Sequence, residues 1–353
     1  MKQYLSIILL TMLFAIPVSA ANQGTLSVVI ETTPEAAEIG PDSSFVKTSI
    51  NVVDASGKPV PNIYLKFHLD APRKNQLIST DFPIVESTRL MTFEGVLPEG
   101  NYEFEYIYPI RGRYSFSVEA GMNKSDISFK NKLSFSISEN ASERVNFIIF
   151  IGFLLVLGIV TGVIAGKSRR LTSAAAVMLI AAALLFGASG SDAYAHGHGN
   201  VKESHKKPAA ADHSDNNFNL SFAMNPGSGR VGEMNTLLFR ATDNNGNLIP
   251  GTRFALKLWH IEDDKPVFRT TLFAPIGETS FIFQFFDGAE HEVRLEAVNS
   301  VGKAGLMKVI EVEGIGPPMG VKVKTTFFLV FVVFIGSLIG LRIQSFRLKE
   351  QAA

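Results

Sequence analysis

Four of the seven histidines, His196, His198, His205 and His213, fall within one short stretch of chain. Neutral imidazole suits Cu, Ni and Zn, and short His-rich tracts commonly capture such ions. The residues among them include Gly197, Gly199, Asn200, Lys202, Lys206, Lys207, Pro208 and Asp212, which are too small and polar to bury a core. Residues 192–217 therefore read as a flexible external linker carrying a candidate copper or nickel site, weakened by the entropy that a mobile loop loses on closing around an ion. A second version of this site depends on processing. Arg169 and Arg170, the apolar run 174–186 and Ala193-Tyr194-Ala195 have the form of a signal peptide, and a cut after Ala195 would expose His196-Gly197-His198 as a new N-terminus. Its α-amine, two imidazoles and intervening amides suit square-planar Cu(II) or Ni(II). Against the cut, the run is long enough to stay in a bilayer as a helix.

The other histidines carry less chemistry. His68 lies in an alternating strand, His260 follows the only tryptophan, and His291 follows Gly288; each reads as a surface or hydrogen-bonded residue. His260 with Glu262, Asp263 and Asp264 forms a loop cluster of imidazole and carboxylates, and Met224 and Met234 read as packing residues. No Ser-His-Asp order, glycosidase carboxylate pair or nucleotide loop stands out, so no enzyme is expected. Gly166-Lys167-Ser168 resembles the end of a phosphate loop, but the required first glycine falls at Thr161, inside an apolar run. With no cysteine, the chain has no disulfides, thiolate metal sites or thiol nucleophile. Thirty-three basic against 33 acidic residues removes the broad positive field that nucleic-acid binding needs.

A length of 353 residues allows two domains and something more. The extra part is apolar. Residues 1–20 read as a cleaved signal peptide ending Val18-Ser19-Ala20, and three uncharged runs, 145–166, 171–191 and 325–341, read as membrane-spanning helices. The basic turn 167–170 and the tail 342–353, with Arg342, Arg347 and Lys349, mark the cytoplasmic side, placing everything between the runs outside. The location that follows is a bacterial cytoplasmic membrane crossed several times. No span holds an ionisable residue, which disfavours a channel or transporter. Gly158, Gly162 and Gly166, and likewise Gly336 and Gly340, recur at fourfold spacing, a pattern that lets helices pack closely.

The segments 24–139 and 218–313 alternate with the period of two required by half-buried strands, as in Tyr102-Glu103-Phe104-Glu105-Tyr106 and Phe281-Ile282-Phe283-Gln284-Phe285. Many short strands without an amphipathic helix predict two all-β, immunoglobulin-like sandwiches. They also share words. Asp54, Gly57, Pro61 and Leu65 match Asp243, Gly246, Pro250 and Phe254 in spacing, and Val118-Glu119-Ala120 matches Leu295-Glu296-Ala297, so the segments read as duplicates. The second copy has Asn225-Pro226-Gly227, Gly232 before a strand over 235–242, and the turn from Asp243 to Pro250. In these it resembles the small YtkA-like and CopC-like periplasmic domains. That resemblance implies a link to copper handling, although the family's His and Met ligands do not align with residues here. The expected protein is a membrane-anchored envelope accessory handling copper or nickel. The alternative is a metal-free scaffold that holds other envelope proteins through its strand edges.

Overall fold

The computed structural model describes residues 19–23, 26–35, 45–74, 80, 82–167 and 218–352. The first copy contributes β1 (Ser19–Gln23), β2 (Leu26–Thr33), β3 (Val46–Asp54), β4 (Ile63–Asp70), β5 (Arg89–Leu97), β6 (Asn101–Tyr106), β7 (Gly112–Asn123) and β8 (Asp126–Ile137). The second contributes β9 (Asn219–Asn225), β10 (Gly229–Arg230), β11 (Met234–Thr242), β12 (Thr252–His260), β13 (Lys265–Ala274), β14 (Glu278–Gln284), β15 (Glu290–Val298) and β16 (Lys303–Glu313). Alternation drives these strands. Along β7, Tyr114, Phe116, Val118 and Ala120 turn inward while the residues between them face outward.

Each copy sets two layers face to face. In the first, β1-β2-β3-β6 faces β8-β7-β4-β5; in the second, β9-β11-β14 faces β10-β16-β15-β12-β13, with β1 and β10 as short edge strands. This is an immunoglobulin-like sandwich, as the alternation predicts. The shared turns connect equivalent strands, β3 to β4 and β11 to β12. In each, the aspartate amide donates to a carbonyl four residues on, Asp54 to Lys58 and Asp243 to Asn247, both at 2.9 Å. Backbone hydrogen bonds hold the Asp54 and Asp243 carboxyls below the usual carboxylate range, together with side-chain bonds from Ser56 and Asn247 that are the largest cause. Gly100 and Gly277, both at positive φ, close the opposite turns so tightly that a Cβ would strike the backbone of Val60 or Ile249.

The two sandwiches are separated along the chain by residues 140–217, yet the structure joins them edge to edge. β6 pairs with β13 through Tyr106, Glu105 and Phe104 against Phe268, Arg269 and Thr270. β5 pairs with β14 through Thr92 and Met91 against Ile282 and Phe283. Each hairpin thus meets its counterpart with the strand roles exchanged, giving continuous sheets of nine and seven strands. The core runs through the junction: Phe268 lies 6.2 Å from both Phe104 and Tyr106, ring centre to ring centre, and the Thr270 hydroxyl donates to the buried Tyr102 oxygen at 2.8 Å. Ion pairs Arg269–Glu105 and Arg253–Glu99 flank it at 3.1 and 2.6 Å. Exposed pairs contribute about 0–1 kcal/mol each, against about 1.5–3 kcal/mol for burying one large apolar side chain, so apolar packing dominates the junction.

Two helices leave the same end of this body. α1 (Ala141–Lys167) follows β8, and α2 (Met319–Ala352) follows β16. Both are long and apolar enough to cross a membrane. They contain the expected spans 145–166 and 325–341, extended at both ends because the polar flanks continue the helices. They pack in parallel through their glycines. A Cβ at Gly158 would sit 2.3 Å from the Val333 carbonyl oxygen, one at Gly162 2.1 Å from that of Ser337, and one at Gly340 2.1 Å from that of Ile159. Thr161 and Ser337 spend their hydroxyls on carbonyls four residues back, leaving the seam to packing. The third expected span, 171–191, and the linker 192–217 lie outside the described residues. At the other end, Ser19 and Ala20, placed by the sequence in the leader, belong to β1 and pair with Ile30 and Val29.

Candidate functional site

The four linker histidines, His196, His198, His205 and His213, lie outside the described residues. Among the described residues, no group of three His, Asp or Glu side chains is placed to hold a metal ion. Chemistry gathers instead at the helix-proximal end of the sandwiches, where β7 and β15 begin.

In the first copy this corner is built on Tyr114. Its hydroxyl donates to the Ile110 carbonyl at 2.5 Å and accepts from the Ile110 amide at 3.1 Å. That is the tyrosine corner of immunoglobulin-like domains, and burial raises the phenol pKa well above its ordinary value. Aligning Val118-Glu119-Ala120 with Leu295-Glu296-Ala297 sets His291 in the place of Tyr114. His291 is 2 % exposed and pairs across the sheet with His260, 1 % exposed, their ring centres 5.0 Å apart. An imidazole thus takes the place of the Tyr114 phenol, with a second imidazole packed against it.

The hydrogen bonds fix the tautomers. His291 Nδ1 donates to the Ala289 carbonyl at 3.1 Å, and His260 Nδ1 accepts the Asp263 amide at 3.1 Å. The neutral His260 ring therefore carries its proton on Nε2, which lies 3.4 Å from Asp287 Oδ2 and makes no hydrogen bond. That proton occupies the nitrogen a metal would need. Burial, aided by His260, pushes His291 down to about 4. Keeping this ring neutral thus begins to cost stability as pH falls below about 6.5 and costs more as it approaches 4. Of the expected loop cluster, Asp263 stays beside His260, its carboxylate 3.7 Å from Nδ1, while Asp264 accepts from the Trp259 indole at 3.2 Å; His260 itself is the last residue of β12 and faces His291. His68 is a half-buried strand residue bonded to Thr92 Oγ1 at 2.8 Å, held below its usual value first by burial.

Beside the tyrosine corner opens a cleft of about 1580 Å³. Arg73, Lys74, Arg89, Arg111, Arg113 and Lys132 line it against Asp70, Glu86 and Glu139. Arg89 pairs with Asp70 at 2.9 Å and Arg111 with Glu139. Met224 packs on the core as expected, while Met234 reaches the cleft.

No family model matches the chain, and no curated protein matches it. Solved structures similar to it include the Yersinia pseudotuberculosis adhesin InvE, at 10 % identity and a TM-score of 0.21 over 81 % of this chain and 60 % of that one. Trypsin-activated alpha-2-macroglobulin from Escherichia coli is similar at 9 % identity and a TM-score of 0.27, over 84 % of this chain and 17 % of that one. A two-domain fibronectin type-III segment of chicken tenascin is similar at 8 % identity and a TM-score of 0.18, over 83 % and 96 %. The chain spans about three fifths of the adhesin's length and less than a quarter of an E. coli alpha-2-macroglobulin chain.

Proposed function

We propose that this chain is a scaffold of the bacterial cytoplasmic membrane, holding a rigid double sandwich on the outer face as a platform for other envelope proteins. The observation that carries this reading is the fusion of the two sandwiches above a parallel pair of apolar helices. A body anchored at two adjacent points has little freedom to tilt, which suits it to positioning rather than catalysis. In this reading the chain crosses back between Lys167 and Phe218, and 171–191 is the uncharged run available for that crossing. The basic flanks at 167–170 and after Leu341 favour the same sidedness. Reporter fusions after Lys167 and after Ala353 should be active only in the cytoplasm, and one after Asn217 only outside. A fusion after Ala353 that works only outside would overturn the arrangement.

A second reading, copper or nickel capture by the tether, is favoured by the clustering of His196, His198, His205 and His213 ahead of the second sandwich. Replacing all four with Ala should remove most Cu(II) binding by the full chain without altering its melting, and binding by the unaltered chain should weaken as pH falls through about 6.5. Sequencing the mature N-termini separates the terminal chelate, which begins at His196, from the looser cluster of an intact chain. Undiminished Cu(II) binding in the fourfold variant would exclude both forms and leave the scaffold.

A further inference from the structure

The cleft beside Tyr114 stands where the protein meets the bilayer. Ile137 and Glu139 line it, Asn140 caps α1 by accepting the Ser142 amide at 3.2 Å, and the uncharged run begins at Val145. Residues 140–144 rise about 8 Å along the helix, close to the depth of one headgroup layer, about 5–8 Å. Arg144, Lys322 and Lys324 ring the same level on the two helices. After the ion pairs of Arg89 and Arg111 are discounted, Arg73, Lys74, Arg113 and Lys132 remain without an ion pair among the described residues, and all four are exposed. Among the described residues, the cleft therefore keeps an excess of positive charge. Its walls also present two buried groups without hydrogen-bond partners, the Glu139 Oε1 acceptor and the Ser115 hydroxyl.

We propose that this cleft binds the headgroup of an anionic phospholipid of the outer-facing leaflet. The cations take the phosphodiester, whose charge they match, and a headgroup hydroxyl supplies the donor that Glu139 Oε1 lacks. Phosphatidylglycerol has both features; phosphatidylcholine has neither a net charge nor a hydroxyl. A lipid held there fixes the height of the double sandwich over the membrane at a third point, beside the two helices.

This inference rests on the membrane-anchored reading, and the experiment separates the two. Full-length protein in detergent is titrated with phosphatidylglycerol, with phosphatidylcholine and with inorganic phosphate, and bound lipid is counted by native mass spectrometry. Phosphatidylglycerol should bind at least tenfold more tightly than phosphatidylcholine, and inorganic phosphate should not displace it. The variant Arg73→Glu/Arg113→Glu/Lys132→Glu should lose at least tenfold in phosphatidylglycerol affinity. Lys58→Glu/Lys303→Glu, which reverses charge at the far end of the sandwiches, should lose none. Equal binding of both lipids, displacement by phosphate alone, or an unchanged triple variant would each overturn the site. Extraction of the unaltered chain from membranes by alkaline carbonate would instead sink the anchored reading, because the helices and not the cleft hold it there.

Discussion

Phe268→Ala is expected to destabilise both sandwiches together, by about 3–5 kcal/mol. The ring is fully buried, 5.0 Å from Phe281 and 5.2 Å from Phe283 in its own copy and 6.2 Å from Phe104 and Tyr106 in the other. Its loss opens a cavity that neither half can close alone, since the facing strands are held by ladders on both sides. Denaturant unfolding followed by hydrogen exchange should show one transition, with protection falling in β3 and β4 as much as in β12. Two transitions, with only the second copy weakened, would show that the junction is a contact between independent domains. Neutralising the exposed pair by Arg253→Ala should change stability by less than about 1 kcal/mol.

Gly162→Leu is expected to part the helices. The new Cβ would meet the Ser337 carbonyl oxygen at 2.1 Å and the Leu341 amide nitrogen at 2.9 Å, and backbone atoms cannot move aside without separating the axes. Overpacking of this kind costs about 1–3 kcal/mol, enough to reduce close pairing about tenfold. The chain has no cysteine, so a single engineered pair reports the contact cleanly. A Cβ at Gly166 would lie 3.0 Å from the Gln344 Cβ, so Gly166→Cys with Gln344→Cys brings two thiols within bonding reach, and oxidation in membranes should join them readily. Adding Gly162→Leu should suppress that bond, whereas Gly152→Leu, whose Cβ meets nothing within 4 Å, should leave it unchanged. Equal cross-linking in both would mean that the glycine face does not hold the pair.

What the sequence made legible were the features written in neighbouring residues. Strands appear in the alternation around Tyr114 and Phe281, the repeated turn in Asp54 and Asp243, and the helix seam in the spacing of Gly158, Gly162, Gly336 and Gly340. The junction left no such trace. Phe104 and Phe268 are inward residues of ordinary strands, and nothing local distinguishes a strand that pairs with a distant copy from one that ends its own sheet. The imidazole pair was hidden for a related reason, since His260 and His291 lie on different strands and meet only through register. One clue was present: the match between Val118-Glu119-Ala120 and Leu295-Glu296-Ala297 already sets His291 against Tyr114.

The exchanged hairpins have a further meaning. A Cβ on Gly158 would approach the Gly336 Cα at 3.0 Å, and one on Gly340 the Gly162 Cα at 3.0 Å, so the helix residues that meet are counterparts in the two repeats. Counterparts that meet one another define a twofold axis, and β5 on β14 with β6 on β13 obeys the same axis. This is the symmetry that relates the protomers of a homodimer, here found between the two halves of one polypeptide. Joining frees the assembly from dilution, and it also removes a restriction of symmetry. In a true homodimer every substitution occurs twice, whereas here one half keeps a tyrosine at its corner while the other carries two buried histidines and is preceded in sequence by four more.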